Sequence, residues 1–373
     1  MQCQESIQGI IQRMNSFWHQ LPRPVVGLSA MDGVSDAAMR EVSALVGHPD
    51  FMVTEFTSAD GIVRGILRLL RDFYFTANQR PIVAQIFGTD PESFRICAII
   101  CCFLGFDGID INMGCPAESV AHKGGGAALI KNPELAKKLI RSVQRGVEEF
   151  INGAELTELG LPIRFVSEIE KRAQRSGERR SLPVSVKTRI GYEKPVIEEW
   201  IPHLLETGPA VITIHGRTLE QQYGGLADWE EIAKAALLIH KTKTLVFGNG
   251  DLATPERIVS RIKESGVDGV WIGRAAMGNP WIFQQYQDYI AGREVREPTT
   301  QERFEIALKH AHIFEELNNT IFVDDPLPFL NMRKHLGWYI KGFPNASEMR
   351  VKLFQTNSSE DVKAIFDSYG HLG

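Results

Sequence analysis

Eight short, mostly apolar runs recur along the chain, and each is followed by a stretch that suits a helix. Continuous apolar runs of this length are typical of strands buried on both faces of a parallel sheet. Eight strand–helix units in succession favour a closed (β/α)8 TIM barrel over an open doubly wound sheet. The runs are VVGLSAM (25–31), FMVTEF (51–56), PIVAQIFG (81–88), GIDIN (108–112), VSVKTR (184–189), AVITIHGR (210–217), TLVFGNGD (244–251) and GVWIGRAA (269–276).

Two departures from this repeat predict the domain organisation. The gap between the fourth and fifth runs exceeds one unit, and residues 151–182 within it suggest an insertion on the rim of the barrel. Its charged stretch KRAQRSGERR (171–180) is explained either as a solvated loop or as an RNA contact. From about residue 290 the strand signal stops, and four apolar-periodic segments predict a small all-helical bundle. We therefore expect a barrel domain over 1–290 and a helical domain over 291–373.

Polar side chains stand where six of the eight runs end. In barrel enzymes the loops after the strands build the active site, so these residues are expected to share one pocket. One such residue alone would be explained as a satisfied core group, but the recurrence favours a site. They are Gln85, Asn112, Lys187 with Arg189, His215 with Arg217, Asn249 and Arg274.

Glycines accompany the last two runs, in Gly248-Asn249-Gly250 and Gly273-Arg274. Barrels often hold a phosphate at this place, on bare backbone N–H groups. Lys187 and His215 would then flank the body of a cofactor, and a cation beside the N1–C2=O edge of a flavin stabilises its anionic reduced form. A Schiff-base lysine, as in aldolase-type barrels, remains the alternative for Lys187.

Cys115 lies in the motif NMGCP, just after the fourth run. A thiol between Gly and Pro on an active-face loop can act as a nucleophile or as an acid. The cysteines on the preceding helix, Cys97, Cys101 and Cys102, are explained as small buried hydrophobic residues. The glycine-rich segment HKGGG (122–126) follows Cys115, and it suits a lid over substrate or an ordinary turn equally well.

Charge and cysteine content argue against several classes of protein. A formal net charge of −5 means that any nucleic acid would contact a local patch and not a globally basic surface. Five cysteines without a CxxC pair suit neither a disulfide framework nor a zinc site, and they favour a reducing cytoplasm. No apolar run reaches the roughly 18 residues of a membrane span, and the start does not read as a secretory signal. We expect a cytoplasmic protein with no membrane or metal partner, and a monomer is the expectation for an otherwise open oligomeric state.

Cations and aromatic residues cluster within nine residues of the tail. Such a mixture suits phosphate contact together with base stacking. The alternative is that the aromatic and apolar residues form the core of the bundle and the cations merely flank it. The cluster consists of Arg333, Lys334, His335, Trp338, Tyr339 and Lys341.

Together these motifs resemble the tRNA-dihydrouridine synthases over almost the whole chain, from about Val25 to Tyr369. One motif alone would be weak, but the combination of NMGCP, HGRT, NGD and GR is specific. The tail is most similar to the bacterial DusB-like type. The matching pieces are SAMDGVSD (29–36), VAQIFG (83–88), GIDINMGCPA (108–117), VKTRIGY (186–192), IHGRTLEQQYGGLADW (214–229), FGNGD (247–251), GRAAMGNPWIF (273–283) and RKHLGWYIKGFP (333–344).

The resemblance implies a cofactor and a role for each matching residue. FMN would be bound, with Asn112 and Arg189 contacting the target uridine and Cys115 as the general acid. NADPH, or NADH, would reduce the flavin; hydride would then pass to uracil C6 and the Cys115 proton to C5. The tail would bind tRNA. The implied FMN-binding residues are Ala30, Met31, Gln85, Lys187, His215, Asn249, Gly250, Gly273 and Arg274.

Two features depart from the family pattern, and two other functions stay open. The first loop has Ala30 where the family more often has proline, and the stretch 151–182 is longer than expected. One rival function is the reduction of a free pyrimidine by a dihydroorotate-type flavoenzyme, which leaves the helical tail unexplained. The other is a tRNA-binding protein that has lost catalysis, against which the intact Cys115, Lys187 and His215 argue.

Overall fold

The computed structural model describes residues 16–173 and 179–369, in which parallel strands close into a barrel. Strands occupy eight positions around the barrel, and the first strand, Val25–Leu28, pairs with the last, Gly269–Ile272, to close it. The fold class predicted from the sequence is confirmed. The strands are β1 (Val25–Leu28), β2 (Met52–Val53), β3 (Thr57–Ser58), β4 (Ile82–Phe87), β5 (Gly108–Met113), β6 (Val184–Arg189), β7 (Val211–His215), β8 (Leu245–Asn249) and β9 (Gly269–Ile272).

The second run is broken where the sequence predicts one continuous strand. Val53 pairs with Val83, and Thr57 pairs with Ile86, so three residues of the run oppose two residues of β4. This is the arrangement of a β-bulge, which bends the strand and re-aims a side chain. Glu55 is the middle residue of the three and is buried.

Helices follow the strands and cover the barrel. Several begin with the signals that satisfy free backbone N–H groups, such as the Asp90 cap followed by Pro91, and the helix that starts there, Pro91–Leu104, is capped at its end by Gly105 with φ of 83°. The helices are α1 (Ala37–Val46), α2 (Ala59–Val63), α3 (Pro91–Leu104), α4 (Glu118–Ala121), α5 (Pro133–Ile151), α6 (Ile163–Arg172), α7 (Ile197–Leu205), α8 (Trp229–Ile239), α9 (Pro255–Ser265), α10 (Ile282–Ile290), α11 (Thr300–Thr320), α12 (Leu330–Tyr339), α13 (Ala346–Leu353) and α14 (Ser359–Ser368). No helix among the described residues is both long and apolar enough to cross a membrane.

Aromatic side chains fill the amino-terminal end of the barrel. Trp18, from a 3-10 turn before β1, packs edge-on against Phe51 with ring centroids 4.8 Å apart, and Phe51 in turn contacts Trp271. Gly27 makes room for this stack, because a Cβ there would lie 2.1 Å from the Phe51 ring. Aromatic side chains therefore fill this end of the barrel.

The four C-terminal helices, α11 to α14, share a hydrophobic core that also includes Ala38 of α1. The helical domain also touches the loops that follow β1 and β9. Lys334 donates a hydrogen bond to the carbonyl of Gly33, and a Cβ on Gly278 would lie 2.3 Å from the Trp338 backbone. The domain therefore lies beside the loop face of the barrel.

The predicted insertion contains helix α6, whose buried residues Phe165, Val166 and Ile169 join the barrel's outer core. Arg172 donates to the carbonyl of Leu70, which ties the end of α6 to the segment after β3. Within the charged stretch 171–180, residues 174–178 lie outside the described residues. The packing of α6 shows that much of the insertion is a structural element and not a solvated loop.

Candidate active site

Strand register brings the predicted polar residues to one end of the barrel. Asn112 pairs with Lys187, Arg189 with His215, and His215 with Asn249. Side chains alternate along a strand. These residues therefore point into the barrel, on the same side as the core residues that lie an even number of positions earlier in each strand. The structure therefore places the predicted residues of the fourth to seventh runs side by side at the mouth, as the sequence argument expected.

A buried network of amides and one carboxylate lies beneath this mouth. Gln85 donates from Nε2 to Asp110 at 2.7 Å and accepts at Oε1 from Asn112 at 2.9 Å. Ser185 donates to the other Asp110 oxygen at 2.7 Å. Burial raises the pKa of Asp110 to about 6, against the lowering effect of these hydrogen bonds. The network orients both amide side chains before any ligand arrives.

Asn112 also holds the loop that carries Cys115. Its Oδ1 accepts hydrogen bonds from the backbone N–H groups of Gly114 at 3.0 Å and Cys115 at 2.8 Å. Arg189 donates from Nε to the Gly114 carbonyl at 2.7 Å, so both predicted substrate-contacting residues position this loop. Gly126 packs close behind, since a Cβ there would lie 2.7 Å from the Cys115 carbonyl.

The Cys115 thiol is 8% exposed, and burial raises its pKa above the ordinary value. A thiol with a raised pKa stays protonated at neutral pH, so it suits proton donation better than nucleophilic attack. Of the two chemical roles that the sequence left open, the environment of Cys115 favours the acid. The glycine-rich segment 122–126 contains backbone that needs glycine, with φ of 81° at Gly124 and 58° at Gly126.

Lys187 is half-buried, and its ammonium lies over the Trp271 ring, 6.0 Å from the centroid. Burial lowers its pKa to about 8, and the neighbouring Arg189 adds to the effect. Among the described residues it has no hydrogen-bond partner. An ammonium that reaches the mouth of the barrel without a protein partner is a strong binding group for the anionic or carbonyl edge of a ligand.

His215 lies among cations and is neutral at ordinary pH. Burial lowers its pKa well below the usual value, and Lys187 and then Arg189 contribute further. A guanidinium nitrogen of Arg217 lies 3.3 Å from Nε2. Because arginine can only donate, Nε2 must accept, which leaves the proton on Nδ1 available for a ligand.

Two residues of this region, Arg217 and Asp251, were absent from the set predicted to bind cofactor or substrate. Arg217, only 2% exposed, donates from Nη2 to both carboxylate oxygens of Asp251 at 2.8 Å. Arg274 donates to the same carboxylate at 3.2 Å and stays largely exposed. The HGR and NGD motifs could have indicated both residues, because in each motif a charged residue immediately follows the glycine. Asp251 thus organises two arginines beside Gly250, which has φ of 120°.

The first loop lies against the last strand, as expected for a shared cofactor site. Ser29 N–H donates to the Ile272 carbonyl at 2.9 Å, and Met31 N–H donates to the Ser35 hydroxyl at 2.8 Å. A Cβ on Gly273 would lie 3.5 Å from the Met31 sulfur. Ala30 and Met31 therefore stand over the end of β9, close to Gly273.

The tail cluster divides between core and surface. Leu336 is buried in the helical core, as the structural alternative predicted, and His335 and Tyr339 are buried too, whereas Trp338, which that alternative also placed in the core, is only half-buried. The outer face of α12 forms a shallow hollow with α13, lined by cations and apolar side chains. We call this hollow the tail patch, and it consists of Leu330, Arg333, Lys334, Gly337, Trp338, Arg350 and Phe354.

Comparison with known proteins gives consistent matches. The family model described as "Dihydrouridine synthase (Dus)" matches residues 27–152 and 163–369. The "Probable tRNA-dihydrouridine synthase 2" of Bacillus subtilis (strain 168) is 32% identical over 365 residues, covering 95% of this chain and 96% of that protein. The "Probable tRNA-dihydrouridine synthase" of Staphylococcus aureus (strain COL) is 31% identical, covering 95% of each. A solved DHODH from Eimeria tenella aligns at 13% identity over 72% of this chain and 80% of its own, with a TM-score of 0.47, too low to support any conclusion.

Proposed function

Because the chain belongs to the dihydrouridine synthase family, we propose that it reduces the C5=C6 bond of uridine in tRNA with a bound flavin. The observation that carries the proposal is the buried Cys115 thiol, which burial keeps protonated on a loop that faces the unpartnered ammonium of Lys187. Reduction of an electron-poor double bond needs a hydride and a proton on adjacent carbons. The mouth of the barrel holds a proton donor together with groups suited to a redox cofactor.

The residues at the mouth have the chemistry that a flavin mononucleotide requires. The unpartnered ammonium of Lys187, the Nδ1–H of His215 and the amide of Gln85 would hydrogen-bond the isoalloxazine, with Ala30 and Met31 packing on the ring. The ribityl chain and the phosphate would be held by Asn249, Gly250, Gly273 and Arg274. The exposed guanidinium of Arg274 and the bare backbone at the glycines are suited to an anion. The bound flavin, reduced by NADPH or NADH, supplies the hydride.

The protein's own groups then orient the uracil and deliver the proton. Asn112 and Arg189 lie on either side of the Cys115 loop and would contact the base that enters there. Cys115 donates its proton to C5 as negative charge develops on the ring. Burial of Cys115 limits the access of bulk water to this proton donor, which strengthens its electrostatic contacts.

A uridine can reach this mouth only after leaving its place in folded RNA. The tail patch supports RNA as the substrate, because it combines Arg333, Lys334 and Arg350 with the exposed ring of Phe354. Lys334 links the patch to the first loop through Gly33. An RNA bound on the tail patch would therefore lie beside the loop that is proposed to hold the flavin.

The decisive experiment uses purified protein and unmodified tRNA. We expect a yellow protein that oxidises NADPH and forms dihydrouridine, detected by mass spectrometry of digested tRNA. Reduction of free uracil without activity on tRNA would favour the free-pyrimidine reductase. A colourless protein that binds tRNA after attempted flavin reconstitution would favour the non-catalytic binding protein and refute the proposal.

A further inference from the structure

A cavity of about 390 Å³ lies between the first loops of the barrel and the helical domain. On the barrel side it is lined by Asp32, Asp36 and Glu55, and on the helical side by Phe314 and Phe322. The Cys115 loop and the cations proposed to hold the flavin do not contribute to its lining. The volume is in the range that holds a compact organic ligand.

The β-bulge in the second run puts Glu55 at this cavity. Its side chain is 9% exposed, and its Oε1 is buried without a hydrogen-bond partner among the described residues. An unsatisfied buried carboxyl oxygen costs stability, and a bound ligand or an ordered water that completes its hydrogen bonds removes that cost. The neighbouring Thr54 accepts a hydrogen bond from the Gln85 N–H at 3.1 Å, which fixes the bulge to the strand that carries Gln85.

The carboxyl group of Glu55 can both donate and accept. Burial raises its pKa to about 8, and the charge of Asp36 adds to the effect, so it is mainly protonated at neutral pH. A carboxylic acid of this kind pairs with a ligand edge that offers a donor beside an acceptor. The carboxyl side chains that line the cavity outnumber its two cations, Arg68 and Arg71, and this excess favours ligands that present N–H groups.

The opposite wall supplies flat apolar surface from Phe314, Leu317 and Phe322. Aromatic and apolar side chains that stack, combined with a polar group that reads an edge, are the elements by which proteins bind unstacked RNA bases. Carboxylate side chains in particular accept from exocyclic amino groups. Among the described residues no group of three acidic, histidine or cysteine side chains is arranged to hold a metal ion.

We propose that this cavity receives a second nucleobase of the tRNA, one that bears an exocyclic amino group and flanks the target uridine. The inference rests on the proposed function and adds a site that selects the sequence around the target. Glu55 reads the amino-bearing edge of the base, while Phe314 and Phe322 on the opposite wall provide apolar contact. The first loop, through Asp32 and Asp36, borders this cavity and also carries the residues proposed to pack on the flavin.

The test combines altered tRNA with altered protein. Bases that flank the target uridine are replaced by uracil one at a time, and KM and kcat are measured for each transcript. For the unaltered protein, one replacement should raise KM about tenfold, as expected for loss of a paired base contact. Glu55→Met, which keeps the length of the side chain, should raise KM for the unaltered tRNA and should no longer respond to that replacement.

Two further variants separate recognition from general damage. Glu55→Gln keeps a donor and an acceptor and should retain most of the discrimination. Glu316→Gln removes an exposed carboxylate from α11, next to Leu317 but outside the cavity, and should behave as the unaltered protein. All variants are compared at equal flavin content.

The outcomes distinguish this inference from the proposed function. If the unaltered protein makes dihydrouridine but no flanking replacement changes KM, the base pocket is overturned whatever the variants do. Additive effects of Glu55→Met and the sensitive replacement would overturn it equally. Absence of dihydrouridine with the unaltered protein and tRNA would refute the proposed function itself, and the base pocket with it.

Discussion

Cys115 is the residue whose replacement should affect the chemistry with least effect on the structure. Its backbone N–H, not its thiol, makes the contact with Asn112 that holds the loop. Cys115→Ala should therefore retain flavin while dihydrouridine formation falls by about 10²- to 10⁴-fold, the usual contribution of a general acid. Single-turnover reduction of tRNA by the prereduced protein measures this step directly.

Cys97 provides the matched control for loss of a thiol, because it is fully buried in α3 and outside the mouth. Cys97→Ala should keep the rate of dihydrouridine formation, with only a small loss of stability from the missing sulfur. Unimpaired turnover by Cys115→Ala would remove the cysteine from the proposed mechanism.

Lys187 should make flavin binding depend on pH. Burial lowers its pKa to about 8, so the free protein carries this charge below pH 8 and loses it above. A ligand that needs the cation then binds more weakly as the pH rises, with Kd increasing up to about tenfold per pH unit above the pKa. Fluorescence titration with FMN on both sides of pH 8 measures this dependence.

Lys187→Met supplies the comparison, since it keeps an unbranched apolar stem and has no charge to titrate. Below pH 8 the affinity of this variant for FMN should be lower than that of the unaltered protein. It should be nearly constant over the pH range on both sides of pH 8. An unchanged slope in this variant would assign the pH dependence to another group.

Among the secondary-structure elements, the contact between the loop after β9 and helix α12 depends on the absence of a side chain at Gly278. Its φ is 61°, and a Cβ would lie 2.3 Å from the Trp338 backbone. Gly278→Ala should push the helical domain away from the barrel, which lowers the unfolding free energy and raises KM for tRNA. Thermal unfolding and tRNA titration at equal flavin content measure both effects.

Gly292 separates backbone strain from the clash. It has a similar φ of 67°, and nothing lies within 4 Å of its Cβ position. Gly292→Ala should show only the conformational cost of about 1–2 kcal/mol, whereas Gly278→Ala should lose about 1–3 kcal/mol more from overpacking. Equal losses in the two variants would show that the domain contact can yield.

Periodicity and loop position were enough to predict the strands, the barrel and the helical tail. Gln85, Lys187 and His215 could be predicted to meet because parallel strands end at one face of the barrel. The break in the second run could not be predicted, since a bulge depends on the register with β4 and leaves no pattern in MVTEFTS (52–58). The ion pair between Arg217 and Asp251 could not be predicted either. The HGR and NGD motifs show the two charged residues, but they do not show that residues 34 positions apart form a pair.

For the molecule as a whole, the net charge of −5 limits how tRNA can be bound. The protein cannot attract RNA through its overall field, so the affinity must come from local cations such as Arg333, Lys334 and Arg350 of the tail patch and the nearby Lys341. Four phosphate contacts correspond to a slope of log K against log salt of about −3 to −4. Filter binding of tRNA over a range of salt concentrations measures this slope.

Lys334→Met should reduce the magnitude of that slope by about 1, because one phosphate contact is lost. Lys363→Met is the control, since Lys363 is exposed on α14 and paired with Asp367 away from the tail patch. A slope that both variants leave unchanged would place the RNA on another surface. A slope steeper than about −6 would mean that cations beyond the tail patch carry most of the contact, and residues of the insertion such as Arg164 and Lys171 would then be the next to test.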